Sequence, residues 1–401
     1  MTPEALYATP NALAPHYRRF RVADRLLLTG HSHQAWPDVG FEAQARAWLD
    51  AAEYVDDKWE HAFAMADRVR RGFARLLDDP EGDLALGAST HELLVRWLSA
   101  LPLGARPRLV TTTGEFHTIR RQLDRLAEAG ITVVKVAALP AGTLAERLAR
   151  AADDRTAAVL VSAVLYENAH LVPDLGRVLA ACRRVGAELL VDAYHALGVV
   201  PFSVHREGLV EAFVVGGGYK YCQLGEGNCC LRIPSGCTLR PVITGWFSEF
   251  ESLASGEPAT PVGYGGGAGA ARFAGATYDP TSHYRAASVF DFFEAQRLTP
   301  DLLRRVSQHQ VGLLAARFDA LDADPAFITR ERAVTLPELG GFLALQTPRA
   351  GELCRGLRDR GVWADYRADM LRLGPAPYLS DAQLGNAMDA LGSLVQELAA
   401  R

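Results

Sequence analysis

The chain has 401 residues and a formal net charge of -5, and its composition is 49% hydrophobic and 22% charged. This is the balance of an ordinary globular protein, and it provides no basic surface for nucleic acid or for an anionic membrane. We therefore expect a small-molecule partner rather than either of these. Since 401 residues are too many for one ordinary core, we also expect one large and one smaller domain.

Neither the first 20 residues nor any later apolar run has the pattern of a signal peptide or a membrane span, which predicts a cytoplasmic protein. The six cysteines, at positions 182, 222, 229, 230, 237 and 354, form no Cys-x-x-Cys pair and no group with histidine at zinc-binding spacing. We therefore expect neither a metal site nor a disulfide framework.

Short apolar runs alternate with amphipathic stretches between residues 80 and 235. The apolar runs predict β-strands at 83–86, 108–112, 132–136, 157–164, 188–192 and 212–215. The stretches between them predict helices at 92–101, 118–129, 143–152 and 174–185. This alternation indicates an α/β fold with a mostly parallel central sheet and helices on both faces. Ligands of such sheets bind beyond the carboxyl ends of the strands.

The pattern changes after residue 233. Residues 251–275 contain serine, proline and a glycine-rich cluster at 263–267, which predict a long loop that is either an active-site loop or a linker. Beyond it, the sequence predicts helices at 282–297, 301–320, 350–360 and from Asp381, and strands at 340–346 and 370–373. We expect three parts: an N-terminal segment at 1–45 that packs with the small domain, a large domain at 46–275, and a small α+β domain at 276–401.

Lys220 follows the predicted strand at 212–215 and three glycines at 216–218. Glycines let the backbone turn sharply and approach a ligand without obstruction by side chains. A lysine in such a setting can form a Schiff base with the aldehyde of pyridoxal 5'-phosphate (PLP). The alternative is a surface lysine that follows a glycine turn. Cys222 lies two residues further on and is interpreted as a small packed residue.

Asp192 ends the predicted strand at 188–192, so its carboxylate points into the crevice where ligands bind. A carboxylate there can keep a pyridinium nitrogen protonated, which makes the ring an electron sink for a carbanion. The alternative is an aspartate that caps the next turn. His195, three residues on, either braces Asp192 or the cofactor ring, or is a satisfied core histidine.

Two further predicted strands end at the same edge of the sheet. The strand at 83–86 leads into Ser89 and Thr90, which open a Ser-x-x-Glu capping box whose hydroxyls and free amides suit a phosphate. The strand at 108–112 delivers Phe116, an aromatic ring that can stack on a flat cofactor. The alternatives are a capping box without a ligand and a phenylalanine of the core.

Arg372 lies in the middle of the apolar strand predicted at 370–373, where an unpaired guanidinium would be costly. It therefore needs an anion. A substrate carboxylate held by two parallel hydrogen bonds would satisfy it. The alternative is an internal Asp or Glu partner.

The order of these features resembles that of the fold-type-I PLP enzymes, in particular the class V aminotransferase superfamily and, within it, the kynureninases. The segment from Asp192 to His195 resembles the Asp-x-x-His of that family, and 218–221 resembles its Tyr-Lys-Tyr segment. Residues 28–32 resemble the family's N-terminal Asp-Gly-Asn-Ser loop, and 245–247 resemble its Gly-Trp-Phe segment. Residues 272–277 resemble its Arg-Phe-x-x-Gly-Thr segment, and 371–374 resemble its Ile-Arg-Phe-Gly segment. The likeness thus extends along most of the chain.

The resemblance implies PLP as the cofactor, an amino acid as the substrate and a homodimer with active sites at its interface. It implies Lys220 as the Schiff-base lysine, Asp192 on the pyridine nitrogen and His195 near the ring. Phe116 would stack on that ring. The substrate would be bound by Arg372 and Ser32. The phosphate would be held by Ser89, Thr90 and Tyr219 and, from the second subunit, by Trp246 and Thr277.

The substrate side departs from the family pattern. The family's Phe-Pro-Thr-Asp is Phe-His-Thr-Ile at 116–119, so a carboxylate near the cofactor is missing. Its Asn-Tyr-Arg-Thr-Gly is Leu-Tyr-Glu-Asn-Ala at 165–169, where an acid replaces the arginine. The Gly-His that follows its Gly-Trp-Phe is Ser-Glu at 248–249. The cofactor residues therefore match better than the substrate residues do.

The leading hypothesis is a PLP-dependent hydrolase of the kynureninase kind, in tryptophan catabolism. It would cleave the bond between the β- and γ-carbons of L-kynurenine or a related γ-keto amino acid and release an acid and alanine. Tyr219 would either carry a proton in this reaction or only bind the phosphate. The alternatives are another class V enzyme (an aminotransferase, a β-lyase or a cysteine desulfurase) and a catalytically silent PLP-binding protein. A desulfurase needs a mobile cysteine, whereas Cys354 lies in a predicted helix.

Overall fold

The computed structural model describes residues 1–249, 262–264 and 269–400. Its α-helices are α1 Pro3–Tyr7, α2 Val39–Tyr54, α3 Lys58–Leu76, α4 Thr90–Ser99, α5 His117–Glu128, α6 Leu144–Ala151, α7 Leu175–Val185, α8 Thr281–Ala295, α9 Pro300–Asp319, α10 Ala350–Asp359 and α11 Asp381–Ala399. Its β-strands are β1 Leu26–Leu27, β2 Asp83–Gly87, β3 Arg108–Thr112, β4 Thr132–Val136, β5 Thr156–Ser162, β6 Glu188–Asp192, β7 Phe213–Gly217, β8 Cys229–Ile233, β9 Leu343–Gln346, β10 Val362–Trp363, β11 Asp365–Arg367 and β12 Met370–Leu373. Much of the loop predicted at 251–275, with most of its glycine cluster at 263–267, lies outside the described residues.

Seven strands form the central sheet, in the order β2-β8-β7-β6-β5-β3-β4. The pairs β3/β4, β3/β5, β5/β6 and β6/β7 are parallel, while β8 is antiparallel to both of its neighbours, β7 and β2. The carboxyl ends of β2, β3, β5, β6 and β7 consequently lie at one edge of the sheet. The prediction of an α/β fold with a mostly parallel sheet is confirmed.

The strands predicted for this sheet are all present, and β3, β4 and β6 have the predicted bounds. All residues of β5 are buried, as expected of a central strand that is covered on both faces. β8 was not predicted, because Arg232 interrupts its apolar run. The structure accommodates this charge by pairing Nε of Arg232 with Oδ2 of Asp79 at 2.8 Å.

Helices α2 and α3 precede the sheet and were not predicted either. Both pack against α8. Gly72 permits the contact between α3 and α8, because a Cβ atom at this position would lie 2.2 Å from Cδ2 of Phe290. Helices α4 to α10 begin and end within two residues of their predicted bounds, and α11 begins at Asp381, as predicted.

Two of the three glycines before Lys220 belong to the strand, and the chain bends only from Gly218 onward. Gly216 and Gly217 are the last residues of β7, and neither they nor Gly218 has a left-handed backbone. Close packing requires them instead, because a Cβ atom on Gly217 would lie 2.4 Å from Cε2 of Tyr194 and 2.6 Å from Sγ of Cys229. The strand therefore continues to three residues before Lys220.

The C-terminal part of the chain contains an antiparallel sheet of order β11-β12-β9, in which Arg372 lies directly opposite Asp365. The N-terminal segment contacts this part. Strand β1 pairs in parallel with β10, and Nδ2 of Asn11 donates a hydrogen bond to the carbonyl oxygen of Pro377 at 2.9 Å. The division of the chain at residues 45 and 275 stays a prediction.

None of the described helices is both long and apolar enough to cross a bilayer. All six cysteines are free. In the described ranges, no three or more His, Cys, Asp and Glu side chains form a group that could hold a metal ion.

Candidate active site

Residues from several strand ends meet at one edge of the central sheet. Ser89 follows β2, Phe116 follows β3, Asp192 ends β6 and Lys220 follows β7. Ser162, the last residue of β5, lies opposite Asp192 in the register of the two strands. Because these strands run in the same direction, the sheet itself places these side chains on one side of the molecule.

Lys220 is 5% exposed, so the alternative of a surface lysine is wrong. Its Nζ atom lies 2.6 Å from Nε2 of His195. Three aromatic rings surround the same atom, with centroids 5.2, 4.9 and 5.7 Å away, and they belong to Phe116, Tyr194 and Tyr219. The amine thus lies in a largely aromatic enclosure, with Nε2 of His195 at hydrogen-bonding distance.

This enclosure changes the protonation of the lysine. Burial lowers the pKa of Lys220 from 10.5 to about 7; the carboxylate of Asp192 opposes this shift, and the charge of Arg372 adds to it. A large fraction of the side chain is therefore a neutral amine at neutral pH. Only the neutral amine is a nucleophile, so Lys220 is suited to attack an aldehyde.

Asp192 is half-buried, and its Oδ1 accepts a hydrogen bond from the backbone N–H of Tyr194 at 2.8 Å. Within the described part of the chain, Oδ2 has no hydrogen-bond partner. Burial raises the pKa of the Asp192 carboxyl, while the Tyr194 N–H and the charge of Lys220 oppose this shift. Asp192 therefore caps the turn after β6 with one oxygen and offers the other to a ligand.

His195 is buried, and burial together with the charge of Lys220 holds its pKa well below the usual range. The ring is therefore neutral. Its Nε2 faces Lys220, and its Nδ1 has no hydrogen-bond partner in the described residues. The expected bracing of Asp192 is not found. The structure also differs from the alternative of a satisfied core histidine, because one ring nitrogen contacts the lysine and the other is unpaired.

Tyr219 and Phe116 form the aromatic walls of the site. The Tyr219 ring stacks on His33 with centroids 4.9 Å apart and 17° between the planes. Burial raises the pKa of Tyr219 to about 12, so its hydroxyl keeps its proton at neutral pH. The Phe116 ring meets Tyr166 edge-on at 5.4 Å.

Ser89 is the N-cap of α4, and its hydroxyl accepts a hydrogen bond from the N–H of Glu92 at 3.2 Å. The capping box is not of the usual form, because Oε2 of Glu92 accepts from the N–H of Ala88 at 3.0 Å instead of from that of Ser89. Glu92 is also paired with Arg96. Ser89 is exposed and Thr90 is half-buried at the start of this helix, so both hydroxyls are accessible to an anion.

The anion that Arg372 needs is already present in the chain. Its Nε and Nη2 donate to Oδ1 and Oδ2 of Asp365 at 2.9 and 2.6 Å, and Nη1 donates to the carbonyl oxygen of Tyr166 at 2.5 Å. The observed partner of Arg372 is therefore an internal carboxylate, which the sequence analysis gave as the alternative to a substrate carboxylate. Strand pairing brings Asp365 opposite Arg372, and the binding of a substrate carboxylate by Arg372 stays a prediction.

Two acidic residues of the site were missed. Asp365 also accepts a hydrogen bond at Oδ1 from Nε2 of the buried His31 at 2.6 Å. Glu115 accepts at Oε1 from Oγ1 of Thr112 at 2.6 Å, and at Oε2 from Oγ of Ser162 at 2.6 Å. Burial raises the pKa of Glu115 to about 7, and the charge of Asp192 adds to the shift. The sequence contained one signal for Glu115, which is its position just beyond the end of the strand predicted at 108–112.

Ser32, Trp246 and Thr277 are all more exposed than the buried Lys220. Oγ of Ser32 lies 3.1 Å from Nδ1 of His33. Trp246 is 45% exposed and Thr277 is exposed. Thr277 lines a cavity of about 1190 Å³ together with Ala88, beside the start of α4. Neither Lys220 nor Asp192 lines this cavity, so we assign the reactive centre to the strand ends and not to the cavity.

The cysteines near the site are not suited to nucleophilic chemistry. Burial raises the pKa of Cys222 and of Cys229 to about 12. The Sγ atom of Cys354 donates to the carbonyl oxygen of Ala364 at 3.3 Å. Since a thiolate is the reactive form, these three side chains are inert at neutral pH.

Sequence comparison identifies relatives along nearly the whole chain. Residues 303–391 match the kynureninase C-terminal domain family. The kynureninase of Pseudomonas fluorescens is 27% identical over 408 residues, which cover 96% of this chain and 93% of that protein. An uncharacterised aminotransferase of Bacillus subtilis strain 168, YcbU, is 23% identical over 353 residues, which cover 86% of this chain and 88% of that protein.

Structural comparison identifies the fold. A mutant of C-DES with glycine covalently linked to its PLP cofactor superimposes with a TM-score of 0.80 and 19% identity, covering 94% of this chain and 98% of that one. C-DES, a cystine C–S lyase, in complex with its product cysteine persulfide gives a TM-score of 0.79 over 92% of this chain and 98% of that one. The chain is thus similar to a kynureninase over nearly its whole length, and it has the fold of the fold-type-I PLP enzymes.

Proposed function

We propose that the protein is a PLP-dependent hydrolase of the kynureninase kind. The reaction is the cleavage of the bond between the β- and γ-carbons of L-kynurenine or a related γ-keto amino acid by water. The water supplies a hydroxyl to the acyl carbon and a proton to the β-carbon, so the products are a carboxylic acid and alanine. The kynureninase of Pseudomonas fluorescens, 27% identical over 96% of this chain, supports this assignment.

PLP is the cofactor supported by the kynureninase likeness and by the fold, and the residues of the site fit it. The free Oδ2 of Asp192 is suited to accept a hydrogen bond from the N–H of a pyridinium ring. Lys220 provides a buried amine of lowered pKa. Ser89 and Thr90 would hold the phosphate at the start of α4, and Phe116 would contact the ring.

When bound, the cofactor supplies an aldehyde for the substrate amine and a ring that accepts electrons from the α-carbon. Lys220 is the base that removes the proton from the α-carbon, because its Nζ is largely neutral above pH 7. The Asp192 carboxylate holds the proton on the ring nitrogen, since an adjacent negative charge favours the protonated form.

Tyr219 and Arg372 serve the substrate. The Tyr219 hydroxyl keeps its proton at neutral pH, because burial raises its pKa to about 12, and it can donate that proton or a hydrogen bond. Arg372 binds the α-carboxylate, and Ser32 lies in the N-terminal loop that follows β1. Neutral His195 accepts a hydrogen bond from Lys220 and thereby orients its Nζ.

We also propose a homodimer in which the partner's Trp246 and the partner's Thr277 complete the phosphate site. The exposure of both side chains in one chain is compatible with such a contact. Subunit mixing tests it: a Lys220→Ala protein and a Thr277→Ala protein should regain activity when dissociated and reassembled together. No recovery, with mixed dimers formed, would contradict it.

The observation that carries the proposal is the buried amine of Lys220 in the same site as an Asp192 oxygen that no described residue pairs with. Product analysis tests it with L-kynurenine, 3-hydroxykynurenine and a panel of amino acids. Alanine formed from a γ-keto amino acid without an added keto acid supports hydrolysis. A requirement for a keto acid would indicate transamination, and alanine from cysteine would indicate desulfuration, which the buried thiols disfavour.

A further inference from the structure

The geometry points to Asp365, itself held by His31, as the residue that positions Arg372 for the carboxylate of the substrate. The inference rests on the proposed function and deepens it. In this arrangement Asp365 does not compete with the substrate for the arginine. It occupies one edge of the guanidinium and leaves another edge free.

The hydrogen-bond inventory of Arg372 supports this assignment. A guanidinium has five N–H donors and no acceptor. Asp365 takes one from Nε and one from Nη2, and the carbonyl oxygen of Tyr166 takes one from Nη1. Two donors remain, one on each terminal nitrogen. We place the Tyr166 contact on the N–H of Nη1 that faces Cδ, which leaves one N–H of each terminal nitrogen along the terminal edge, where a carboxylate can accept both in the bidentate geometry typical of arginine.

Three separate parts of the chain fix the orientation of this side chain. Asp365 and Arg372 lie opposite each other on β11 and β12, and Tyr166 follows β5 of the central sheet. His31 comes from the loop after β1, and its ring lies 4.6 Å from that of Phe342. The Cζ of Arg372 lies 5.6 Å from the centroid of the same ring. The guanidinium is therefore held at two of its edges and packed on one face.

His31 holds Asp365 in turn. Its Nε2 donates to Oδ1 of Asp365 at 2.6 Å, and burial lowers the pKa of His31 to about 4, so the ring is neutral. Although burial alone would raise the pKa of Asp365, the hydrogen bonds from His31 and Arg372 hold it well below its usual range. Asp365 thus stays an anion and balances the charge of Arg372 when no substrate is bound.

The arginine held in this way lies close to the reactive amine. The Phe342 ring lies between the two groups: its centroid is 5.6 Å from Cζ of Arg372 and 6.0 Å from the ring centroid of His195, whose Nε2 lies 2.6 Å from Nζ of Lys220. A substrate whose amine replaces Lys220 therefore has its carboxylate near the free edge of Arg372. A fixed arginine loses less conformational entropy on binding than a mobile one.

Binding of two matched probes to the PLP-loaded protein tests the inference. L-alanine carries an α-carboxylate and ethylamine is the same amine without it, and binding of each is measured by the change in cofactor absorbance. In the Asp365→Asn variant, the affinity for alanine should fall by about tenfold or more, because hydrogen bonds to charged groups are lost or misplaced. The affinity for ethylamine should change by less than about twofold, as expected of a group that acts only on the carboxylate.

The control is Asp369→Asn, because Asp369 lies exposed between β11 and β12 in the same hairpin. It should leave both affinities unchanged. If Asp365 competes with the substrate instead, the Asp365→Asn variant will bind alanine more tightly than the unmodified protein does. The inference is overturned if the Asp365→Asn variant binds alanine more tightly or with unchanged affinity, or if it loses affinity equally for alanine and ethylamine.

A second pair of variants tests it if Asp365→Asn does not fold. His31→Gln retains an amide donor at the place of Nε2, whereas His31→Asn is too short to keep it. The Asn variant should lose affinity for alanine selectively, and the Gln variant should regain most of it; equal effects of the two overturn the inference. The proposed function fails in a different way, because neither probe would then change the absorbance of the unmodified protein.

Discussion

The Nζ atom of Lys220 lies 2.6 Å from Nε2 of His195, with both side chains buried beside the carboxyl ends of the central strands. A neutral imidazole accepts at one nitrogen only, so a hydrogen bond from Lys220 to Nε2 places the imidazole proton on Nδ1. Burial keeps His195 neutral and lowers the pKa of Lys220 to about 7. This pair therefore presents an oriented amine that is reactive at neutral pH.

PLP should label Lys220 in preference to the other lysines. The chain has three lysines, and Lys58 and Lys135 serve as internal controls. After incubation with PLP at pH 8 and reduction with borohydride, peptide mass spectrometry should identify the modification at Lys220. Labelling should decrease as the pH falls below about 7, because the amine becomes protonated. Equal labelling of all three lysines, or none at Lys220, would remove the basis of the proposed function.

Replacement of Asp192 should affect the reaction and not the attachment of the cofactor. In Asp192→Asn the side-chain oxygen can still cap the N–H of Tyr194, but no carboxylate remains to hold a proton on the ring nitrogen. We expect kcat to fall by about 100-fold or more, the size typical of lost acid–base assistance. Labelling of Lys220 should persist. An unchanged kcat would assign Asp192 to the turn alone.

Glu115 should make stability depend on pH. Its pKa of about 7 in the folded protein lies above the ordinary glutamate value of 4.5, so it contributes stability below pH 4.5 that is lost as the pH rises through 7. Glu115→Gln has no such titration and can keep the hydrogen bonds to Thr112 and Ser162. Between pH 5 and 8, the unmodified protein should lose on the order of 2 kcal/mol relative to the variant. Urea unfolding at several pH values measures this, and parallel pH profiles would contradict it.

A methyl group at Gly217 should destabilise the fold. In Gly217→Ala the new Cβ would lie 2.4 Å from Cε2 of Tyr194, so the ring or the strand must move. Overpacking of this kind costs about 1–3 kcal/mol. Gly104→Ala is the matched control, because a Cβ atom there has no other atom within 4 Å, and we expect a change within about 1 kcal/mol. Thermal or urea unfolding compares the two, and similar stabilities would mean that close packing is not the reason for the glycine.

The strand ends and the residues that follow them could be predicted from the sequence. An apolar run is a local pattern that predicts a strand, and Asp192, Lys220, Ser89 and Phe116 were found at or shortly after the ends of such runs. Arg232 shows where such a pattern fails. One buried charge in β8 conceals a strand, and the compensating Asp79 is 153 residues away.

The sequence by itself determined the order of strands and helices, and it indicated the residues at the sheet edge, because both follow from the local periodicity of apolar and polar side chains. Only the tertiary structure decided the partners of those residues. The register of β11 and β12 sets Asp365 against Arg372, and His31 reaches Asp365 across 334 positions of the chain. A hydrogen bond between distant residues depends on how strands and loops pack, and local periodicity carries no information about that packing.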